Sequence, residues 1–227
     1  MTRFPLLPLL LLALSTVPAR ARAQAPVHLP GAAERQEQFG GAVAPAVLPD
    51  GGMSWYGFVG APELAAGVRS GHSLFELEGR ARLDYFRISL ALEGLVRARV
   101  YERGPLSVAP SLGAGLVLDA GATYLDEDNF DAVFARVTPG LVASYRLSET
   151  VYALGLVDLP LDLGLSPGGA RRFQALGGGG IEAYLGEDVS LLVAGQLGVD
   201  ALRERPAEDW TTRLGYTLRL GVGFRLF

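Results

Sequence analysis

Histidine and cysteine, two residue types that often act as catalytic bases and nucleophiles, are scarce or absent in this 227-residue chain. The two histidines are His28 and His72, and neither stands near a serine and a carboxylate in an order typical of a hydrolase. Cysteine is absent, which excludes a thiol nucleophile, a disulfide and a cysteine-ligated metal. We therefore expect neither enzymatic activity nor a cofactor.

A short acidic segment, residues 125–131, offers carboxylates to a divalent cation. The candidate ligands are Asp126, Asp128 and Asp131. The pattern is not that of an EF-hand, because Asp131 occupies the position at which that loop requires glycine. The alternative is a solvated loop, since a run of charges in a loop usually indicates exposure only.

Four consecutive glycines, Gly177 to Gly180, do not form a phosphate-binding loop. The chain contains no lysine to complete such a loop, and no strand-to-helix junction follows the glycines. Glycine inside a strand more often marks bending or a close approach of two backbones. We expect strong curvature there, or space for an arginine.

Most charged residues alternate with apolar ones, as in Glu76, Glu78, Arg80 and Arg82. Period-two alternation is typical of a β-strand with two unlike faces. The last strand shows it most strictly, because every even position from Leu214 to Leu226 is apolar. The pattern predicts strands at 73–85, 86–101, 105–118, 132–147, 151–164, 171–185, 189–202 and 210–227. It also predicts a hairpin at 53–60 and 63–70, in which Tyr56, Phe58 and Leu64 share even parity.

The charges of these strands fall on one face and the large apolar residues on the other. Glycine shares the charged face, which favours a narrow polar lumen over the packed apolar interior of a soluble barrel. An outward apolar face suits lipid, where a charge costs about 2–4 kcal/mol at the midplane. We expect an inward network of arginine and carboxylate side chains: Glu76, Glu78, Arg80, Arg82, Asp84, Glu93, Arg97, Arg99, Arg136, Glu182, Arg219 and Arg225.

The N-terminus is organised differently. Residues 1–23 have the basic start, apolar core and Ala-Arg-Ala cleavage site of a secretory signal peptide. Residues 24–52 are rich in Ala, Pro and Gly and predict a flexible, exposed tether, which would be periplasmic if the barrel resembles those of the bacterial outer membrane; the alternative is a plug folded into the lumen. Residues 53–227 form the predicted barrel. Cleavage leaves 17 basic and 24 acidic residues, and a net charge of −7 argues against nucleic acid as a partner.

The final amphipathic strand, which ends on phenylalanine, resembles the C-terminal strand of bacterial outer-membrane β-barrel proteins. This resemblance implies that Phe224, Leu226 and Phe227 form a signal for the barrel assembly machinery. It also implies a small monomeric barrel in the lipid of the Gram-negative outer membrane. Short turns at 102–104, 148–150 and 186–188 alternate with longer connections, as in that family.

The sequence thus predicts an all-β fold, a transmembrane antiparallel up-and-down β-barrel of eight strands, or ten if the hairpin at 53–70 joins the wall. A barrel of this size is only wide enough for side chains or one small ligand. We expect a charged, closed lumen and a structural or surface-interaction role. Two alternatives remain, a small gated anion-preferring channel and a secreted soluble lipid-binding barrel.

Overall fold

The structure is a computed structural model that describes residues 41–120, 131–165, 169–186, 188–203, 205 and 208–226. The signal peptide predicted for residues 1–23, and residues 24–40 of the predicted tether, lie outside the described residues. The strands are β1 (Met53–Ala61), β2 (Glu63–Gly71), β3 (Phe75–Asp84), β4 (Ser89–Ala98), β5 (Tyr101–Arg103), β6 (Leu106–Ala120), β7 (Asp131–Arg146), β8 (Val151–Asp158), β9 (Leu161–Gly164), β10 (Arg171–Tyr184), β11 (Val189–Arg203) and β12 (Thr211–Arg225).

These strands form one closed antiparallel barrel whose wall has ten strand positions with up-and-down connections. Strands β4 and β5 together occupy one position. Strands β8 and β9 occupy another, and the buried Pro160 lies between them. The barrel closes where β1 pairs with β12, with Ser54 opposite Arg225 and Ala61 opposite Leu218. The predicted all-β, antiparallel up-and-down barrel is confirmed, and so is the ten-strand count, because the hairpin β1–β2 completes the wall.

The two ends of the barrel differ in their connections. The short-turn end carries the connections 72–74, 104–105, 147–150 and 185–188, together with the start of β1 and the end of β12. Leu226 donates a backbone hydrogen bond of 2.9 Å to Met53 at this end. The long-loop end carries the connections 62, 85–88, 121–130, 165–170 and 204–210. From residue 104 onward, shorter and longer connections alternate as predicted and lie at opposite barrel ends, whereas the one-residue connection at position 62 also lies at the long-loop end.

Large apolar side chains face outward along the wall. Leu218 in β12 is 60% exposed and Val193 in the neighbouring β11 is also 60% exposed. Among strand residues whose exposure is described, the only charged ones that are exposed are Glu102, Arg103 and Arg171, which lie in the short β5 or at the start of β10. The outer surface is thus an apolar band with charge confined to strand ends.

The hairpin β1–β2 departs from the predicted face assignment. The sequence pattern put Tyr56 and Phe58 on the same face as Leu64, which is exposed. In the structure Tyr56 is buried inside the barrel, and the outward residues of β1 are Trp55 and Val59. The register of the hairpin explains the change: Tyr56 lies opposite Gly67 and Phe58 opposite Ala65, so even-numbered residues of β1 share a face with odd-numbered residues of β2.

Residues 41–48 also differ from the prediction of an exposed tether. They lie inside the barrel at the short-turn end, where Ala44, Ala46 and Leu48 have no measurable exposure. We call residues 41–48 the plug. Its apolar side chains pack against the interior wall residues Tyr56, Val142, Leu154, Leu156, Leu192 and Ala194. The prediction is wrong here because this short apolar run is buried by the barrel and not by a neighbour in sequence.

No helix of the described residues is long and apolar enough to cross a membrane.

Candidate functional site

The plug is fixed to the wall by a buried carboxylate on β10. Glu182 accepts hydrogen bonds from the backbone N–H groups of Ala42 (2.5 Å), Val43 (2.9 Å) and Ala44 (2.7 Å). The hydroxyl of Ser190 donates a further bond of 2.6 Å to the same carboxylate. Backbone donors that converge on an ionised carboxylate form hydrogen bonds about twice as strong as neutral ones. Glu182 therefore satisfies several plug amides that would otherwise be buried without acceptors.

The far side of the plug is held by strands β2, β3 and β7. Leu48 donates its backbone N–H to Glu76 (2.7 Å), and Ala46 donates to the hydroxyl of Ser144 (3.0 Å). Arg69 donates to the carbonyl oxygen of Pro45 (2.8 Å). The segment is thus bonded to opposite sides of the interior, which closes the barrel at the short-turn end.

A fully buried ion cluster lies directly against the plug. Arg69 forms a forked pair with Glu76, with Nε–Oε1 and Nη2–Oε2 distances of 2.8 and 2.9 Å, and neither side chain is exposed. Arg97 bridges Glu76 (3.1 Å) and Glu78. The hydroxyl of Tyr56 donates to Glu78. Unpaired charges would be very costly in this position, so the forked geometry is what makes the cluster tolerable.

Tyr56 reaches this cluster because the neighbouring strand β2 has a glycine, Gly67, beside its ring. A Cβ atom added to Gly67 would lie 2.4 Å from the Tyr56 hydroxyl oxygen, so an alanine there would displace the ring.

Glu93 organises a second layer, nearer the middle of the barrel. Arg80 donates to it from Nε at 3.0 Å, and the Nε of Arg82 lies 3.0 Å from the same oxygen. Thr138 donates its hydroxyl to the other carboxylate oxygen at 2.7 Å. A cavity of about 40 Å³ separates this layer from the plug, which is room for only a few water molecules. The interior is therefore filled by side chains over these two layers.

Two further ion pairs line the wall closer to the long-loop end. Arg136 forms a forked pair with Asp162 at 2.6 and 2.7 Å. Arg219 binds Glu63 at 2.7 Å and thereby joins β12 to β2 across the barrel closure. Both pairs are almost entirely buried.

Asp200 is the centre of a third layer at the long-loop end. Three arginines contact its carboxylate: Arg172 at 2.9 Å, Arg87 at 2.7 Å and Arg213 at 3.1 Å. They come from β10, the 85–88 turn and β12, so the layer spans the interior. A cavity of about 390 Å³ lies beside it.

Most residues of the predicted network face inward, but not all of them join the buried arginine–carboxylate pairs. Glu182 bonds to plug amides and Ser190, as described above. Asp84 accepts hydrogen bonds from the backbone N–H groups of Phe86 (3.0 Å) and Arg87 (3.1 Å) and so shapes the 85–88 turn. Arg99 lies near the rim, where it contacts Glu102 at 3.3 Å. Arg225 is partly buried at the end of β12.

Sequence reasoning missed Arg69, Glu63 and Tyr56 as parts of the interior network. Arg69 and Glu63 share odd parity in the hairpin, and this was the signal that could have placed them inside. Sequence reasoning also missed Tyr184, which is buried and donates to the plug carbonyl of Ala44 at 2.8 Å. The run of apolar residues at 42–48 was the signal for the plug.

The remaining candidates are distributed as follows. Asp126 and Asp128 lie outside the described residues, and Asp131 begins β7. Within the described part of the chain, no group of acidic or histidine side chains is arranged to hold a metal ion. In the glycine run, a Cβ on Gly178 would lie 2.0 Å from the carbonyl oxygen of Gly195, so two backbones approach closely there. The curvature or room for an arginine expected at this run stays a prediction.

Of the predicted assembly signal, Phe224 stacks on Trp55 with ring centroids 5.4 Å apart, and Leu226 is exposed. Phe227 lies outside the described residues.

Comparison with models of known protein families gives no match, and comparison with curated proteins gives none either. The class of this protein is therefore defined by its architecture, a small antiparallel β-barrel with a charged interior.

Proposed function

We propose that this chain is a small outer-membrane β-barrel whose lumen is closed, and that it has a structural or surface-interaction role and no catalytic one. The observation that carries the proposal is the plug, whose backbone amides bond to Glu182, Glu76 and Ser144 on different strands. Behind it, the Glu93 layer fills the middle of the barrel. A continuous water path would require both to move.

The outer surface supports a lipid environment for this barrel. Soluble monomers rarely expose contiguous apolar patches larger than a few hundred Å². Here leucine and valine side chains face outward along β11 and β12, as Leu218 and Val193 illustrate. A soluble lipid-binding barrel would have the opposite arrangement, with its apolar face inside. Outer-membrane lipid and the barrel assembly machinery are therefore the partners that we propose, with a monomer as the assembled form.

An anion-preferring channel is the second candidate function, because arginine predominates around the cavity at the long-loop end. Planar-bilayer recording distinguishes the two. We expect the refolded mature chain to float with liposomes on a density gradient, which shows insertion, and yet to give no steady conductance. Steady conductance that changes in Arg80→Gln or Arg82→Gln would contradict the closed lumen and support the channel.

A further inference from the structure

The interior at the long-loop end contains a cavity that neither the plug nor the Glu93 layer fills. Its volume is about 390 Å³, within the range of small-molecule sites in proteins. The wall combines apolar residues such as Leu176 and Ala91 with neutral polar groups such as Gln174 and Ser89. The cavity is therefore large enough for a small organic molecule and chemically mixed enough to orient one.

Arginine is the predominant charged residue of this wall. Among the described residues, five arginines and three carboxylates line the cavity, so positive charge predominates there. Arg136 pairs with Asp162. Arg82 contacts Glu63 and also Glu93, which it shares with Arg80. The other three arginines belong to a separate cluster.

Those three, Arg87, Arg172 and Arg213, all contact the single carboxylate of Asp200. Asp84 also lines the cavity and offsets part of their charge. Asp200 is 2% exposed and fixes all three guanidinium groups in place. Because a guanidinium has five N–H donors, it can contact Asp200 and a second oxygen at the same time. The cluster is thus a preorganised set of cationic donors at the cavity wall.

We propose that this cavity binds a small organic anion that carries a carboxylate or phosphate group, which is held by Arg87, Arg172 and Arg213. Both groups match the planar fork of donors that arginine presents. The positive excess disfavours a cation, and the volume excludes a macromolecule. This site goes beyond the closed-barrel role, because a barrel can be closed at the short-turn end and still bind a ligand at the other.

Isothermal titration tests the proposal with the protein purified in detergent micelles at constant ionic strength. The probes are succinate, inorganic phosphate and, as a neutral analogue of the same length, succinamide. We expect saturable binding of at least one anion and none of succinamide. Succinate alone would identify a carboxylic acid as the ligand class, phosphate alone a phosphate ester, and binding of both the shared anion chemistry.

Two variants test whether the cluster is responsible. Arg87→Gln and Arg213→Gln each retain the forked pair of Arg172 with Asp200, and each is expected to weaken anion binding about tenfold. Arg99→Gln, at the short-turn end, should bind as the unmodified protein does. Circular dichroism and the thermal midpoint establish whether each variant is folded. If Arg87→Gln does not fold, Arg87→Lys is the milder replacement.

The proposal is overturned if neither anion binds up to about 10 mM, because an affinity of about 1 mM would already be evident there. It is also overturned if both cluster variants bind as well as the unmodified protein. Neither result alters the conductance expected of a closed barrel, so the two proposals fail independently.

Discussion

At the scale of single residues, Glu182 has the most specific role in the interior. Its carboxylate is fully buried and accepts bonds from plug amides and from the hydroxyl of Ser190. A carboxylate offers only acceptors, which matches a set of donors. Glutamine has nearly the same shape, but one of its two terminal groups is a donor.

We therefore predict that Glu182→Gln loosens the plug. The side-chain NH₂ group of the glutamine would face at least one amide or hydroxyl donor, and the lost bond to a charged group would cost about 1.5–3 kcal/mol. Hydrogen exchange at Ala42, Val43 and Ala44 should become about 10- to 100-fold faster. Glu102→Gln, on an exposed side chain at the same barrel end, is the matched control and should leave these amides unchanged. Unaltered exchange in Glu182→Gln would show that the plug does not depend on this carboxylate.

The buried arginines act as cross-links between strands. Arg69 joins β2 to β3 through Glu76 and joins both to the plug through Pro45. A buried ion pair is weak evidence of net stability, because desolvation of both charges offsets much of their attraction. Its clearer effect here is geometric, since the forked pair fixes where each side chain lies in the crowded interior.

At the scale of elements, β12 shows how one strand serves two environments. Its outward residues Leu214, Leu218 and Leu220 are exposed, whereas Thr217 is buried and donates to Gln196. Strict alternation puts an entire face on one side of the wall. A charge introduced on the outward face should therefore be costly in proportion to its depth in a bilayer.

We predict that Leu218→Arg, at the middle of β12, lowers the amount of folded protein in the outer membrane. The cost of arginine is about 2–4 kcal/mol at the bilayer midplane and about 0–1 kcal/mol near the interfaces. Leu214→Arg, close to the long-loop end of the same strand, is the matched control and should have a much smaller effect. Membrane fractionation followed by urea unfolding measures both. Equal behaviour of the two variants would contradict a lipid-facing band.

At the scale of the whole molecule, the barrel has a charged interior and an apolar exterior. Layers around Arg69, Glu93 and Asp200 follow one another from the short-turn end to the long-loop end. The plug closes the first of these ends, and the cavity lies at the other. This polarity makes the two ends of the barrel unequal in chemistry as well as in loop length.

The exterior leads to a prediction about the behaviour of the mature chain in solution. We expect it to remain a folded monomer in detergent micelles and to aggregate when the detergent is removed, because the apolar band would then face water. Size-exclusion chromatography with light scattering measures both states. A monodisperse monomer in detergent-free buffer would instead support the soluble barrel.

The sequence alone was enough to predict the barrel, because polar and apolar residues alternate along its strands and the charges away from the strand ends mark the inner face. The alternation at Glu76, Glu78, Arg80 and Arg82 is local in sequence, so it can be recognised without knowing which strands pair with this one. The regular strands from residue 73 onward were found within a few residues of their observed bounds. The ten-strand count was predicted conditionally, on the hairpin joining the wall.

Only the tertiary structure determined what each inward residue contacts. Glu182 and Ala42 are 140 positions apart, and Arg87 and Asp200 are 113 apart, so no local pattern could pair them. The same reason explains the plug, since residues 41–48 have no strand period and become buried only when a closed wall surrounds them. Periodicity determines which way a side chain faces, whereas barrel closure and register determine what it meets there.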